Sequence, residues 1–228
     1  MSATIGVVCF PGSNCEHDVV SVLTDLGAAA RIVWHTEEDL SDLDAVVVPG
    51  GFAHGDYLRP GAIARFSPVM APVRRLAEAG RPVLGICNGF QVLTEAGLLP
   101  GALMPNVGLR FISRLVECEV ASSANVLTEN VAAGTVLRLP INHYEGNFVL
   151  DEAAVAVCEA NDQVALRYVD NPNGSTRAIA GIANGPGNVV GLMPHPERAS
   201  SALLESSDGR VLLAAFAAAA AKRPRVSV

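Results

Sequence analysis

Runs of β-branched and aliphatic residues alternate with amphipathic stretches along the first hundred positions. Thr4–Phe10 (TIGVVCF), Arg31–Trp34, Ala45–Val48 and Pro82–Ile86 are short, nearly unbroken apolar segments closed by glycine, proline or asparagine, the signature of strands buried on both faces. Between them, Asp18–Leu26, Ile63–Ala77 and Gly89–Ala96 repeat apolar positions at helical spacing. Ser13 or Asn14 is the expected cap of the first helix, and Pro68 and Pro72 are expected to break the opening turns of the second. Strand and helix in strict alternation imply right-handed crossovers and a parallel sheet with helices on its faces.

Beyond about residue 110 the rhythm changes. Phe111–Val120, Val136–Ile141, Val164–Val169, Ala178–Ala183 and Val189–Met193 read as strands with few helices between them, the last two joined by a hairpin turn over residues 183–188. Val211–Phe216 and the alanine run that follows predict a C-terminal helix, with residues 222–228 (KRPRVSV) as a frayed tail. With no linker or repeat, the expectation is one domain over residues 1–228. It is a three-layer α/β sandwich, a mostly parallel central sheet flanked by helices plus an antiparallel extension.

Composition narrows the function. The 228 residues are 50% apolar and 17% charged, enough to build one large core. A net charge of −7 argues against nucleic acid or an anionic membrane as partner. Lys222 is the one lysine, and no G-x-x-x-x-G-K-[ST] occurs, so work with ATP would have to pass through another protein. Five cysteines without a C-x-x-C pair point to a reducing compartment and suggest no metal site. The opening residues lack a signal-peptide pattern and apolar runs stop short of spanning length, so a cytoplasmic location is expected.

Three strand ends carry candidate chemistry, and in open α/β sheets ligands bind beyond the carboxyl ends of the strands. Residues 85–89 (GICNG) form the thiol counterpart of the nucleophile elbow: Gly85 and Gly89 permit a sharp turn, and the following helix points its positive N-terminus at Cys87. An inert buried thiol is the commoner state of a cysteine. That bland reading is accepted for Cys9, Cys118 and Cys158, while Cys15 lies in a turn with no base in sight. In residues 194–197 (PHPE) two prolines stiffen an extended segment, so His195 and Glu197 project to one side, as a base and its orienting carboxylate must. Gly50 and Gly51 after the third strand free backbone amides to face an anion, although a plain tight turn would read the same way. Asp56 and Arg59 nearby are read as loop braces.

With these residues in hand, G-I-Cys87-N-G-F-Gln91, P-His195-P-Glu197 and P-Gly50-Gly51-Phe52 together resemble the class I glutamine amidotransferases. Within that class, residues 10–18 (FPGSNCEHD), 49–66, 85–103 and 170–175 (DNPNGS) are similar to the glutaminase subunits of phosphoribosylformylglycinamidine synthase. The likeness spans Gly6 to about Arg198. It departs from the family pattern in residues 141–148 (INHYEGNF), at Tyr144 and Phe148, which leaves His143 and Glu145 without an assigned role.

The resemblance implies that Cys87 attacks the side-chain amide of L-glutamine, that His195 moves the protons and that Glu197 orients His195. It implies an oxyanion hole of main-chain amides from Gly51 or Phe52 and from Asn88, with Gly50 and Gln91 on the substrate side. It further implies no cofactor on this chain, with ATP and magnesium held by a separate synthetase subunit that receives the ammonia and is often bridged by a small third subunit. The rival readings are another cysteine hydrolase with an elbow, such as a γ-glutamyl hydrolase, and a catalytically idle regulatory module.

Overall fold

The computed structural model describes residues 2–222. Eleven strands and five α-helices follow one another as β1 (Thr4–Cys9), α1 (Glu16–Asp25), β2 (Ala29–Trp34), β3 (Ala45–Val48), α2 (Met70–Glu78), β4 (Val83–Ile86), α3 (Asn88–Glu95), β5 (Ala102–Met104), β6 (Ile112–Val120), β7 (Val136–His143), β8 (Asn147–Val149), α4 (Glu152–Ala160), β9 (Val164–Tyr168), β10 (Ile179–Ala183), β11 (Val189–Leu192) and α5 (Gly209–Lys222). Nine strands form one sheet in the order β2-β1-β3-β4-β11-β10-β9-β6-β7. The five from β2 to β11 run parallel, and from β11 outward every pairing is antiparallel. The parallel sheet with an antiparallel extension is thus the architecture found.

Chain order reverses at β1: β2 lies on one side of it, β3 and β4 on the other. Right-handed crossovers therefore put α1 on one face and α2 and α3 on the opposite one. Helix α5 packs on α1 and β1, while α3 lies across β3, β4 and β11. Strands β3, β4 and β11 are buried at every position, as a sheet covered on both faces requires. Gly89 makes the α3 packing possible: a Cβ there would stand 1.8 Å from the carbonyl oxygen of Val48.

Several expectations are corrected. The first helix is capped at Cys15 with no side-chain hydrogen bond, because Ser13 Oγ instead accepts from the Phe10 amide (3.0 Å) and tightens the preceding turn. The second helix begins at Met70, after Pro68, with only a short 3-10 turn at Ala64–Phe66 before it. Pro72 is tolerated because it lies in the first turn, where its missing N–H has no intrahelical acceptor. Helix α4 and the two-stranded ribbon of β5 and β8 go unforeseen in the sequence. The frayed tail expected at 222–228 lies, apart from Lys222, outside the described residues.

Candidate active site

The carboxyl ends of β1, β3, β4 and β11 meet on one edge of the sheet because these strands are parallel neighbours. Cys87 sits at the turn from β4 into α3 with φ 50° and ψ −105°, a conformation a non-glycine residue holds only when the surroundings enforce it. Its amide donates to Leu192 O (2.8 Å) on β11, and the carbonyl of Asn142 at the end of β7 lies 3.8 Å from Sγ. The thiol is buried, 6% exposed.

His195 arrives from the end of β11, anchored by its amide to Pro140 O (2.8 Å) on β7. Its Nδ1 lies 2.6 Å from Oε1 of Glu197, and both side chains are fully buried. Burial acts against the charged imidazole. The negative charges of Glu197 and Cys87, with the nearby sulfur of Cys15 adding to them, reverse that effect and hold His195 well above its ordinary value. Nε2 carries no aligned hydrogen bond, and Oε2 of Glu197 is likewise unpartnered. Three residues singled out in the sequence are therefore brought together: a thiol and an imidazole in electrostatic contact, and a carboxylate that orients the imidazole.

The glycine pair after β3 divides its labour. Gly50 has no Cβ where one would strike His195 Cε1 at 2.7 Å and Cys15 Sγ at 3.0 Å. Gly51, at φ +147°, is pressed against the loop after β1, bridged to Ser13. The Phe52 amide donates to Gly12 O (2.8 Å), so of the two alternative amides at this turn Phe52 is already engaged. Asn88 begins α3, where its amide has no intrahelical acceptor.

Behind these amides runs a side-chain network. Asn88 Oδ1 accepts from the Ala53 amide (3.0 Å), and its Nδ2 donates to Asp56 Oδ1 (3.1 Å) and Gln91 Oε1 (2.9 Å). Gln91 Nε2 donates to the carbonyl of Glu145 (2.6 Å). Both ends of the Gln91 amide are thus occupied within the protein, which differs from the expected direct hold on substrate. Burial and the neighbouring charge of Glu145 push the Asp56 carboxyl up to about 6, against the opposing pull of Asn88. Arg59 pairs with both oxygens of Glu95 (2.6 and 2.7 Å) and braces the same loop against α3.

Two features of the site escape sequence reading. Cys15, read as a turn residue, is 1% exposed and lies beside His195 and Glu197; donor atoms of the three fall within 4.8 Å of one another. His143 is buried, hydrogen-bonded through Nδ1 to Asn106 Oδ1 (3.1 Å), and lowered to about 4 by burial and by the charge of His195. Neither stretch states a role by itself: Cys15 is buried where loops meet at the sheet edge, and His143 ends β7 against the loop that carries Asn106.

Comparison with known families agrees with this geometry, matching residues 2–211 to the CobB/CobQ-like glutamine amidotransferase domain. The chain belongs to that family. Among its relatives, the phosphoribosylformylglycinamidine synthase subunit PurQ of Nostoc sp. is 57% identical over 206 residues, covering 90% of this chain and 92% of the relative. The protein of the same name from Salinibacter ruber is 52% identical over 222 residues, covering 93% and 94%. The solved structure of PurLQS from Thermotoga maritima superposes with a TM-score of 0.87 at 39% identity, over 95% of this chain and 98% of that one. Among the described residues no helix is long and apolar enough to cross a membrane.

Proposed function

We propose that the chain is the glutaminase subunit of phosphoribosylformylglycinamidine synthase. It releases ammonia from L-glutamine for a synthetase subunit that makes formylglycinamidine ribonucleotide with ATP in purine biosynthesis. The observation that carries the chemistry is the meeting of Cys87 with the Glu197-oriented His195 at the parallel-strand edge. The relatives named PurQ support the subunit assignment.

His195 takes the Cys87 thiol proton as Sγ attacks the side-chain amide carbon of glutamine, and the carbonyl π electrons move to oxygen. Main-chain amides of Gly51 and Asn88 hold that oxyanion; one such donor is worth roughly 3–4 kcal/mol of barrier. Phe52, whose amide is committed to Gly12, frames the turn instead. On collapse the C–N bond breaks, the nitrogen takes a proton from His195 and leaves as ammonia, and a thioester to Cys87 remains. His195 then takes a proton from water as it attacks the thioester, which releases glutamate and restores the thiol with the proton returned. Gly50 keeps the imidazole in place, and Gln91 positions Asn88 and the Glu145 carbonyl on the substrate side of the pocket.

ATP and magnesium belong, in this reading, to the synthetase, with a small subunit bridging the two proteins in the cytoplasm. This chain, with no P-loop and one lysine, contributes no nucleotide chemistry. The purified chain is expected to hydrolyse glutamine slowly and to be strongly stimulated by the synthetase subunit, with Cys87→Ser abolishing both rates. Glutamine turnover that persists in Cys87→Ser would overturn the mechanism. Failure of the mixture to form amidine from glutamine would overturn the subunit assignment.

A further inference from the structure

Cys15 is the buried group for which the reaction above has no use. Its sulfur accepts from the Arg198 guanidinium (3.2 Å) and lies 3.1 Å from Asn14 Oδ1. A Cβ at Gly50 would lie 3.0 Å from that sulfur, 2.7 Å from Cε1 and 3.4 Å from Nδ1 of His195. A single position beside Gly50 thus touches both Cys15 and the imidazole, which puts the sulfur next to the ring. The same Nδ1 faces Glu197, whose Oε2 is fully buried and without a partner.

We propose that Cys15, Nδ1 of His195 and Glu197 form an inhibitory site for a thiophilic divalent cation, zinc above all. A thiolate, an imidazole nitrogen and a carboxylate are a zinc donor set, and three protein donors leave a fourth position for water. Zn–S near 2.3 Å and Zn–N near 2.0 Å require donors roughly 3.5 Å apart. The three lie within 4.8 Å of one another, so the sulfur needs to draw in by up to roughly an ångström, while Nδ1 and Oε1 of Glu197, 2.6 Å apart, need to open by a little less. Arg198, already paired with Asp18 at 3.4 Å, keeps that carboxylate when the metal takes the sulfur.

A cavity of about 600 Å³ between α1 and α5 borders Glu197, whose side chain is itself buried, and is walled by Asp18, Asp25 and Ser200, with Arg210 on its α5 side. Carboxylates along this wall favour an incoming cation. The metal captures the ring nitrogen that Glu197 uses to orient His195, while Nε2 stays on the Cys87 side. The inhibitory consequence rests on the proposed role of His195, whereas the binding does not.

The test is Co²⁺ and Zn²⁺ titration of the full chain, reduced and stripped by a chelator that is then removed. The expected result is one ion per chain and a thiolate-to-cobalt charge-transfer band that persists in Cys87→Ser and disappears in Cys15→Ser. X-ray absorption of zinc-loaded Cys87→Ser is expected to show one sulfur neighbour, a reading that does not depend on the folding of Cys15→Ser. With glutamine, half-inhibition of Cys15→Ser, relative to its own metal-free rate, is expected to need at least tenfold more zinc. No band in the wild type, a band retained in Cys15→Ser, or one lost in Cys87→Ser would each overturn the site. Binding as expected without inhibition would leave the site standing and refute the role given to His195.

Discussion

Gly50 and His195 stand so close that a single methyl on one would collide with the ring of the other: the distance from an added Cβ to Cε1 is 2.7 Å. Residue 50 is held to glycine by an imidazole delivered from the far end of the sequence. In Gly50→Ala the ring has to rotate away from Glu197 or the β3 turn has to retreat. The expected outcome is a fall in kcat on the order of 10²-fold with the fold retained, since misplacing a reacting group by about 1 Å is that costly. Overpacking of this kind costs roughly 1–3 kcal/mol, which a thermal melt would register. Glutamine kinetics beside that melt check the point, and a wild-type kcat in Gly50→Ala would refute it.

Glu197→Gln keeps the size of the side chain and removes its charge. With the 2.6 Å charge-assisted contact gone, the burial of His195 is no longer outweighed and its pKa falls. A raised folded-state value contributes stability that is complete below the unfolded value of about 6.5 and is lost as pH climbs through the folded one. The variant is therefore expected to lose stability at neutral pH and to show less alkaline destabilisation. Its kcat is expected to drop by roughly 10²–10⁴. Imidazole NMR titration of the metal-free protein is the direct check; an unmoved His195 resonance would contradict the coupling.

Much of this site is legible in the chain because its parts carry local signals. G-x-C-x-G between a strand and a helix states its own geometry, and strand alternation sends it and the P-H-P-E segment to one sheet edge. That segment is not extended throughout as expected but enters a 3-10 turn at Pro196–Arg198, with Nδ1 of His195 still 2.6 Å from Glu197. What is not legible depends on distant loops. Cys15 is in a turn buried against Gly50, His195 and Arg198, all distant in sequence, and Phe52 has its amide spent on Gly12, an acceptor in a different loop. The missed helix α4 did have a signal: Asp151 caps it through Ala154 N (2.9 Å) ahead of an alanine-rich run. The surrounding strand pattern masked it.

Gln91 supplies a discriminating variant. Its buried amide joins Asn88 to the Glu145 carbonyl (2.9 and 2.6 Å), so Gln91→Ala strands two polar groups at a cost of roughly 1–3 kcal/mol. If Gln91 acts by positioning Asn88 behind the oxyanion donor, kcat falls while the KM for glutamine changes little. A rise in KM at unchanged kcat would instead assign Gln91 to direct contact with the substrate. Steady-state kinetics across Gln91→Ala and Gln91→Glu separate the two.

His143 gives the acid behaviour a specific origin. Its Nδ1 faces the Asn106 amide oxygen at 3.1 Å, which also accepts from the Gly146 amide, so the ring proton sits on Nδ1 and Nε2 is a buried lone pair without a partner. Protonating Nε2 would bury a second cation near His195, which is why the group is lowered to about 4. The unfolded chain takes that proton near pH 6.5. Stability is therefore complete above about 6.5 and is lost as pH falls towards 4, by about 3 kcal/mol over the full interval. His143→Gln has no proton to take up, so the stability gap between wild type and variant is expected to shrink, and even to reverse, as pH drops through that window. Urea unfolding of both proteins at several pH values between 7 and 4 measures the gap. A gap that stays constant would place the acid-sensitive proton on a different residue.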